Sequence, residues 1–383
     1  MLICEHFGSC GGCTYDIPYA DELRLKENGV LRLFEDHRVS MGDYLGAVPA
    51  PSYLEYRNKM EFAFGDSGKD SGLCLGVRKR RSFYEVSNAR NCMLVDGDFR
   101  MIAALAADYF SDAGEKFYHR RKRLGALRHL VIRKGFFTGE ILVNIVTTPD
   151  LTIPLMPLAD EMARLELSGV LAGVLCTVNS SVADVISCDS LTTLHGVNFF
   201  HEKLLGLSFK ISPFSFFQTN SAAAELLYKD ISLFADCQGG LVFDLYCGTG
   251  TISQILARGA THVVGVENVA EAIESARENA VVNEIKNCSF ICEDVLNAIG
   301  DAGNNPDTII LDPPRCGVVP KALAKIIAAR PNKIIYVSCK PSSLVRDFLT
   351  ITAQGYYVKA TKLIDLFPRT PHIECLCLLE KKP

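Results

Sequence analysis

The chain has 383 residues, 48% of them hydrophobic, and a formal net charge of -4. That length and apolar content exclude a disordered or fibrous chain and suggest about two domains. No apolar run reaches the roughly 20 residues of a membrane helix, and the opening MLICEHFGSC lacks the basic-then-apolar order of a signal peptide. The fifteen cysteines, mostly set in apolar strands, read as reduced thiols, so a soluble cytoplasmic protein is expected.

In chain order, residues 1–17 form a glycine-rich loop in which Cys4, Cys10 and Cys13 follow a C-x5-C-x2-C spacing. Cys92, in NARNCML, is a candidate fourth ligand. Four thiolates can hold a 4Fe-4S cluster, a zinc ion or no metal, and spacing alone leaves the three open. Residues 18–50 hold an amphipathic helix, with apolar side chains at 23, 25, 30, 31, 33 and 34, and a linker. Residues 51–213 are β-rich: MEFAF, LCLGV, LRHLVIR, EILVNIV and GVLAGVLCTV read as strands, with helices near 98–110 and 154–167. From Ser52 to Thr148 there are 17 Lys and Arg against 11 Asp and Glu, including RKRR at 78–81 and HRRKR at 119–123. Such runs are more often a solvated face than a binding surface, so nucleic-acid binding needs other support.

After SPFSFFQTN at 212–220 the pattern changes to alternating helix and strand. A helix near 221–235 precedes the strands LVFDLYC, HVVGVE, CSFICED, DTIILDPP and KIIYVSC, each pair separated by a helical stretch. Near-continuous apolar strands between helices predict a parallel sheet covered on both faces, which assigns residues 214–383 to a doubly wound α/β domain. The last two strands, near 356–364 and 373–380, predict an antiparallel hairpin. Ligands of such sheets bind beyond the carboxyl ends of the strands. Those ends set Tyr246, Glu267, Asp294, Asp312 and Cys339 along one rim.

DLYCGTGTIS is a glycine turn between a strand and a helix, which lets a ligand approach the backbone closely. About 20 residues later Glu267 ends the next strand, where a carboxylate can accept both ribose hydroxyls of a nucleoside. A tight turn followed by an acidic strand end is the plain structural alternative. In LDPPRCG two prolines stiffen the loop after Asp312. Glycine turn, Glu267 and LDPP in succession resemble the S-adenosylmethionine methyltransferases more than dehydrogenases, and D-P-P is shared by several that act on nucleic-acid bases. That resemblance sets Asp294 beside the adenine amino group. Cys339, at a strand end, is either a nucleophile or a buried thiol. Carbon 5 of uracil is a poor nucleophile, so its methylation needs a thiolate added at carbon 6, and afterwards a base to remove the carbon-5 proton. Glu374 opens an otherwise apolar strand, where a carboxylate is costly unless used or paired, so a catalytic and an ion-pairing role are both open.

SPFSFFQTN, DLYCGTGTIS, LDPPRCG, IIYVSCKP and DLFPRTPHIE, in that order and essentially end to end, resemble the RNA uridine-5 methyltransferase family, which makes 5-methyluridine in ribosomal and transfer RNA. The resemblance implies a Rossmann-like S-adenosylmethionine domain with Cys339 as nucleophile and Glu374 as base. It sets Gln218, Tyr246, Glu267, Asp294 and Asp312 around the cofactor and the target base. Phe216 and Phe217 become neighbours of a base taken out of its stack. It also favours a 4Fe-4S cluster on Cys4, Cys10, Cys13 and Cys92, in a structural or RNA-positioning part. Two departures stand out. Lys340 follows the nucleophile where the family commonly has asparagine, so an ammonium either lowers the thiol pKa or meets a phosphate. The small N-terminal RNA-binding barrel of many relatives is expected to be absent, since the cysteine loop starts at Cys4, and on that expectation RKRR and HRRKR would face the RNA backbone. A monomer acting on 23S rRNA is expected, with tRNA as the alternative. The rivals are a 5-methylcytidine enzyme using Cys316 as a second cysteine, and a non-catalytic iron-sulfur RNA-binding protein.

Overall fold

The structure, a computed structural model, describes residues 4–68, 71–82, 85–88, 90–183, 187–301 and 306–382. Residues 1–3 of the expected cysteine loop and Ala89 of NARNCML lie outside them. The chain divides into two compact units, the first comprising residues 1–17, 52–203 and 211–213, the second residues 18–51, 204–210 and 214–383. Thus α1 (Tyr19–Asp36) and β1 (Asp43–Val48) belong to the second unit although they precede most of the first.

The first unit is a seven-stranded sheet made of β2 (Lys59–Asp66), β3 (Leu73–Arg78), β4 (Val86–Asn88), β5 (Leu127–Lys134), β6 (Glu140–Thr147), β7 (Val170–Val178) and β8 (Ser190–Gly196). Its order is β4-β3-β2-β5-β6-β7-β8, and every pairing is antiparallel except β6 with β7. Alternating Met60, Phe62 and Phe64 on β2 and Leu130 and Ile132 on β5 bury one face. Against it lie Phe99, Ile102 and Phe110 of α2 (Gly97–Asp112) and Leu158 and Met162 of α3 (Met156–Ala163). Asp96 caps α2 by accepting from the backbone N–H groups of Asp98 and Phe99, a contact of about 1 kcal/mol. Of the basic run RKRR, the Arg80 side chain is taken up by the cysteine loop, and Lys79 pairs with Glu85 at 3.1 Å. Arg78 O accepts from Gly11 N at 3.0 Å, and the Arg80 guanidinium donates to the carbonyls of Cys10 and Cys13. In HRRKR, by contrast, Arg121, Lys122 and Arg123 sit exposed on a turn.

The chain crosses between the units along β9 (Phe200–Leu204) and β10 (Leu207–Ile211). The second unit then runs α4 (Ser221–Ala235), β11 (Leu241–Leu245), α5 (Thr251–Leu256), β12 (His262–Glu267), α6 (Ala270–Val282), β13 (Cys288–Cys292), α7 (Val295–Asp301), β14 (Thr308–Leu311), α8 (Pro320–Ala328), β15 (Lys333–Ser338), α9 (Pro341–Ala353), β16 (Tyr356–Ile364) and β17 (Glu374–Lys381). The sheet order is β1-β16-β17-β15-β14-β11-β12-β13, with β17 alone antiparallel to its neighbours. The predicted hairpin of the last two strands therefore does not hang at an edge: β17 is inserted between β16 and β15. Fully buried Leu245, Val266, Ile309, Leu311, Ile334 and Phe348 fill the core. The reversal of strand order falls between β11 and β14, where such sheets open a crevice at their carboxyl ends. Among the described residues no helix is long and apolar enough to cross a membrane.

Candidate active site

Between β11 and α5 the chain turns through Tyr246, Gly248 and Gly250, all with positive φ. A Cβ on Gly250 would come within 2.7 Å of the Phe290 ring and 2.9 Å of Ala276, so this position admits only glycine. A Cβ on Gly248 would meet nothing within 4 Å, which leaves open space above the turn. Glu267, at the end of β12, accepts from Gly248 N at 3.3 Å through one oxygen and from Asn268 N at 2.9 Å through the other. Tyr246, Glu267 and Asp294 line one cavity of about 300 Å³, whose other walls include the apolar side chains of Val295, Leu296 and Val319. Three carboxylates, Glu267, Glu293 and Asp294, beside the apolar side chains of a slot of that size suit the adenosine of S-adenosylmethionine. Asp294 also caps the start of α7, accepting from Leu296 N at 2.8 Å.

Next along the rim come Asp312 after β14 and Cys339 after β15. Because β17 runs antiparallel beside β15, with Ser338 opposite Cys375, Glu374 at the start of β17 is carried to the same end of the sheet as Cys339. Cys339 is half-buried, and burial raises its thiol pKa, as do Glu374 and Asp312, while the Arg315 guanidinium lowers it by charge and by a hydrogen bond. Glu374 is 3% exposed, and its Oε2 has no hydrogen-bond partner among the described residues. Burial holds its pKa well above the carboxylate range, with Asp312 adding to the rise and Arg315 opposing it. Asp312 itself is pushed up to about 7, by burial and by Asp244. The loop carrying Arg315 is fixed from α9: Arg346 donates to Cys316 O at 2.8 Å, and Asp347 accepts from Val318 N at 2.9 Å and Tyr336 Oη at 2.7 Å. Gly317, at φ 78°, leaves room for that clasp, since a Cβ there would lie 2.5 Å from the Arg346 guanidinium.

The structure thus gathers Tyr246, Glu267 and Asp294 around one cavity and Cys339, Glu374 and Asp312 into one electrostatic cluster. Tyr246 belongs to the first of these, and Asp294, Cys316, Asp347 and Glu267 are the titratable groups that act on its hydroxyl. Gln218 is buried two residues before Asn220, which caps α4 by accepting from Ala223 N. Phe217 is a core side chain against Phe209, whereas Phe216 is 70% exposed. Lys340 is exposed at the N-terminus of α9, and the cation acting on the Cys339 thiol is Arg315. Sequence reasoning assigned no role to Arg315, although it stands inside LDPPRCG. Nor did it single out Tyr228, buried facing Asp312, Glu374 and Asp244, or Asp244, whose Oδ2 accepts from Ser253 at 2.6 Å while burial lifts the carboxyl to about 7. A strand-interior aspartate carries no local signal of a site, because only the tertiary fold shows it to be buried and short of partners.

In the first unit Cys4, Cys10, Cys13 and Cys92 line one pocket. Gly12 N donates to the Cys10 sulfur at 3.3 Å, and the N–H groups of Leu94 and Val95 are directed at that of Cys92. Burial, followed by the other three thiols, pushes Cys13 up to about 12. Among the described residues no three His, Cys, Asp or Glu side chains converge as a single metal ion requires. A tetrahedral zinc site would bring its sulfurs within about 3.8 Å of each other, given Zn–S bonds near 2.3 Å. Backbone N–H groups aimed at the sulfurs fit ligands that carry negative charge.

Residues 205–382 match the tRNA (Uracil-5-)-methyltransferase family. An uncharacterized RNA methyltransferase of Clostridium acetobutylicum is 44% identical over 381 residues, covering 99% of this chain and 84% of its own length. One of Bacteroides thetaiotaomicron is 34% identical over 406 residues, covering 98% and 87%. Among solved structures, that of Pyrococcus abyssi tRNA (uracil-54, C5)-methyltransferase in complex with S-adenosyl-L-homocysteine superposes with a TM-score of 0.79 at 26% identity, covering 97% of this chain and 86% of that one. The glycine turn, the nucleoside-sized cavity and these likenesses agree: the chain is an S-adenosylmethionine-dependent methyltransferase belonging to the RNA uridine-5 methyltransferase family.

Proposed function

We propose that the protein converts a uridine in RNA to 5-methyluridine through a covalent adduct on Cys339. The observation that carries this reading is the meeting of Cys339, Arg315 and Glu374 at one end of the sheet, on the same rim as the cofactor cavity. Arg315 favours the thiolate, which adds to carbon 6 of the uracil and makes carbon 5 enolate-like. Bound S-adenosylmethionine, held by Tyr246, Glu267 and Asp294, supplies the electrophilic methyl group. Glu374 then takes the carbon-5 proton, the electrons of that C–H bond restore the C5–C6 double bond, and the C6–S bond breaks. Asp312 and Gln218 are assigned to the base and cofactor. Cys316 lies by Tyr246 and the Gly317 carbonyl, and its part as a second cysteine in a cytidine mechanism is tested by the Cys316→Ala variant.

We assign Cys4, Cys10, Cys13 and Cys92 to a 4Fe-4S cluster, with the exposed Arg121, Lys122 and Arg123 as phosphate contacts. The substrate proposed from the family resemblance is 23S rRNA. The likeness to the Pyrococcus abyssi enzyme supports tRNA as the second reading. Mapping 5-methyluridine in ribosomal and transfer RNA from a strain lacking the protein decides between them. Loss from 23S rRNA alone is expected, loss from tRNA alone moves the assignment, and loss from neither overturns the function.

Arg315 also sets a pH dependence. Its cation favours both the Cys339 thiolate and the Glu374 carboxylate, so Arg315→Gln raises both pKa values. The rising limb of kcat/KM against pH is expected to move to higher pH, with part of the loss at pH 7 recovered at pH 9. An unchanged limb with a uniform loss would remove Arg315 from this role.

A further inference from the structure

The loop from Asp365 to Ile373 delivers Glu374 to the site, and it is pinned by buried charges from α1. Glu22 and Lys26, one helical turn apart, are both buried. The Lys26 ammonium contacts Glu22 at 2.8 Å, both Asp365 oxygens at 3.0 Å and the Phe367 carbonyl at 3.1 Å, which engages all its donors. Glu22 in turn accepts from Arg369 N at 2.6 Å and pairs with the Arg369 guanidinium at 3.4 Å, holding that residue at φ 68°. Tyr19 donates to Asp365 at 3.0 Å, and Asn220 donates to Leu366 O at 3.1 Å. Downstream, Thr370 Oγ1 accepts from His372 N at 3.3 Å, and the His372 ring lies 3.4 Å from the Arg315 guanidinium. Contacts therefore run from Lys26 to the two groups that flank Cys339.

We propose that Lys26 is a positioning residue for the proton-removal step, fixing through Asp365 and Phe367 where Glu374 stands. The inference rests on the reading of Glu374 as the base. Four mutually compensating charges could have been replaced by apolar side chains at little cost to stability, so stability alone does not account for them. A loop end displaced by about 1 Å costs about 100-fold in a proton transfer. Addition of the thiolate does not use Glu374 and would be spared.

Lys26→Met alone leaves buried carboxylates unpaired, so the test adds the charge-balanced Lys26→Met/Asp365→Asn, which keeps the Glu22–Arg369 pair. The probes are bulk ribosomal and transfer RNA from a strain lacking the protein, methylated with tritiated S-adenosylmethionine, and the same RNAs transcribed with 5-fluorouridine in place of uridine. In the double variant turnover is expected to fall about 100-fold. Cofactor binding by calorimetry and the rate of 5-fluorouridine trapping should stay within about twofold, and a methylated, denaturation-stable enzyme–RNA complex should accumulate. Glu374→Gln is the reference and should accumulate the same complex. If Glu374→Gln accumulates it and the double variant does not, whether turnover is kept or falls in step with trapping, Lys26 only stabilises the fold. If Glu374→Gln itself accumulates none, the base assignment fails and this inference fails with it.

Discussion

Replacing Cys339 with alanine is expected to abolish 5-methyluridine formation, lowering turnover by at least about four orders of magnitude, since loss of a nucleophile removes the covalent route itself. The thiol is half-buried beyond the end of β15 and, among the described residues, lies outside the apolar core cluster of that sheet, so the fold should be kept. The cofactor cavity is lined by Tyr246, Glu267 and Asp294, so calorimetric binding of S-adenosylmethionine should also be kept. RNA containing 5-fluorouridine cannot lose its carbon-5 substituent as a proton, so it should trap the wild-type enzyme in a complex stable on denaturing gels. Cys339→Ala should give none, and Cys316→Ala should trap normally. Trapping lost in Cys316→Ala and kept in Cys339→Ala would transfer the nucleophile to the DPPR loop and revive the cytidine reading.

The parts legible in the sequence were those encoded locally. Each strand of the second unit from β11 to β15 is a short apolar run ending in glycine, a carboxylate or cysteine, and its position follows from the run itself. What escaped depends on pairing across long stretches of chain. β1 pairs with β16, some 300 residues later, through a short segment with a register shift between Tyr44 and Ala47, so no alternation marks it as a strand. The helix α1 was read from apolar residues at 23, 25, 30, 31, 33 and 34. The face it buries is Glu22, Lys26, Val30 and Phe34, with Leu25 53% exposed. A hydrophobicity count cannot find a face whose buried members are charged, because their partners, Asp365 and Arg369, come from the other end of the chain. The same applies to RKRR, which the family resemblance turned toward RNA, whereas the Arg80 guanidinium is occupied by the carbonyls of the cysteine loop.

That loop sets the second large effect. Four thiols line one pocket, and burial favours the protonated form of three of them: Cys10, Cys13 and Cys92 are all raised, Cys13 to about 12. A cluster reverses this, since its irons supply the positive charge that four thiolates need, and binding then becomes part of the folding free energy. Cys13 and Cys92 also pack against the apolar core of the first unit, beside Val77 and Leu94. Wild-type protein purified without oxygen is therefore expected to hold about four iron and four sulfide per chain. Cys13→Ser and Cys92→Ser should each lose most of the iron. Either should also lower the melting temperature by about 10 °C, if several kcal/mol of metal binding are forfeited from a unit of this size. Binding of S-adenosylmethionine, whose cavity belongs to the second unit, should survive in both variants. Iron below one atom per chain in anaerobic wild-type protein would remove the cluster and leave the four cysteines as metal-free thiols, and zinc in stoichiometric amount would make them a zinc site instead.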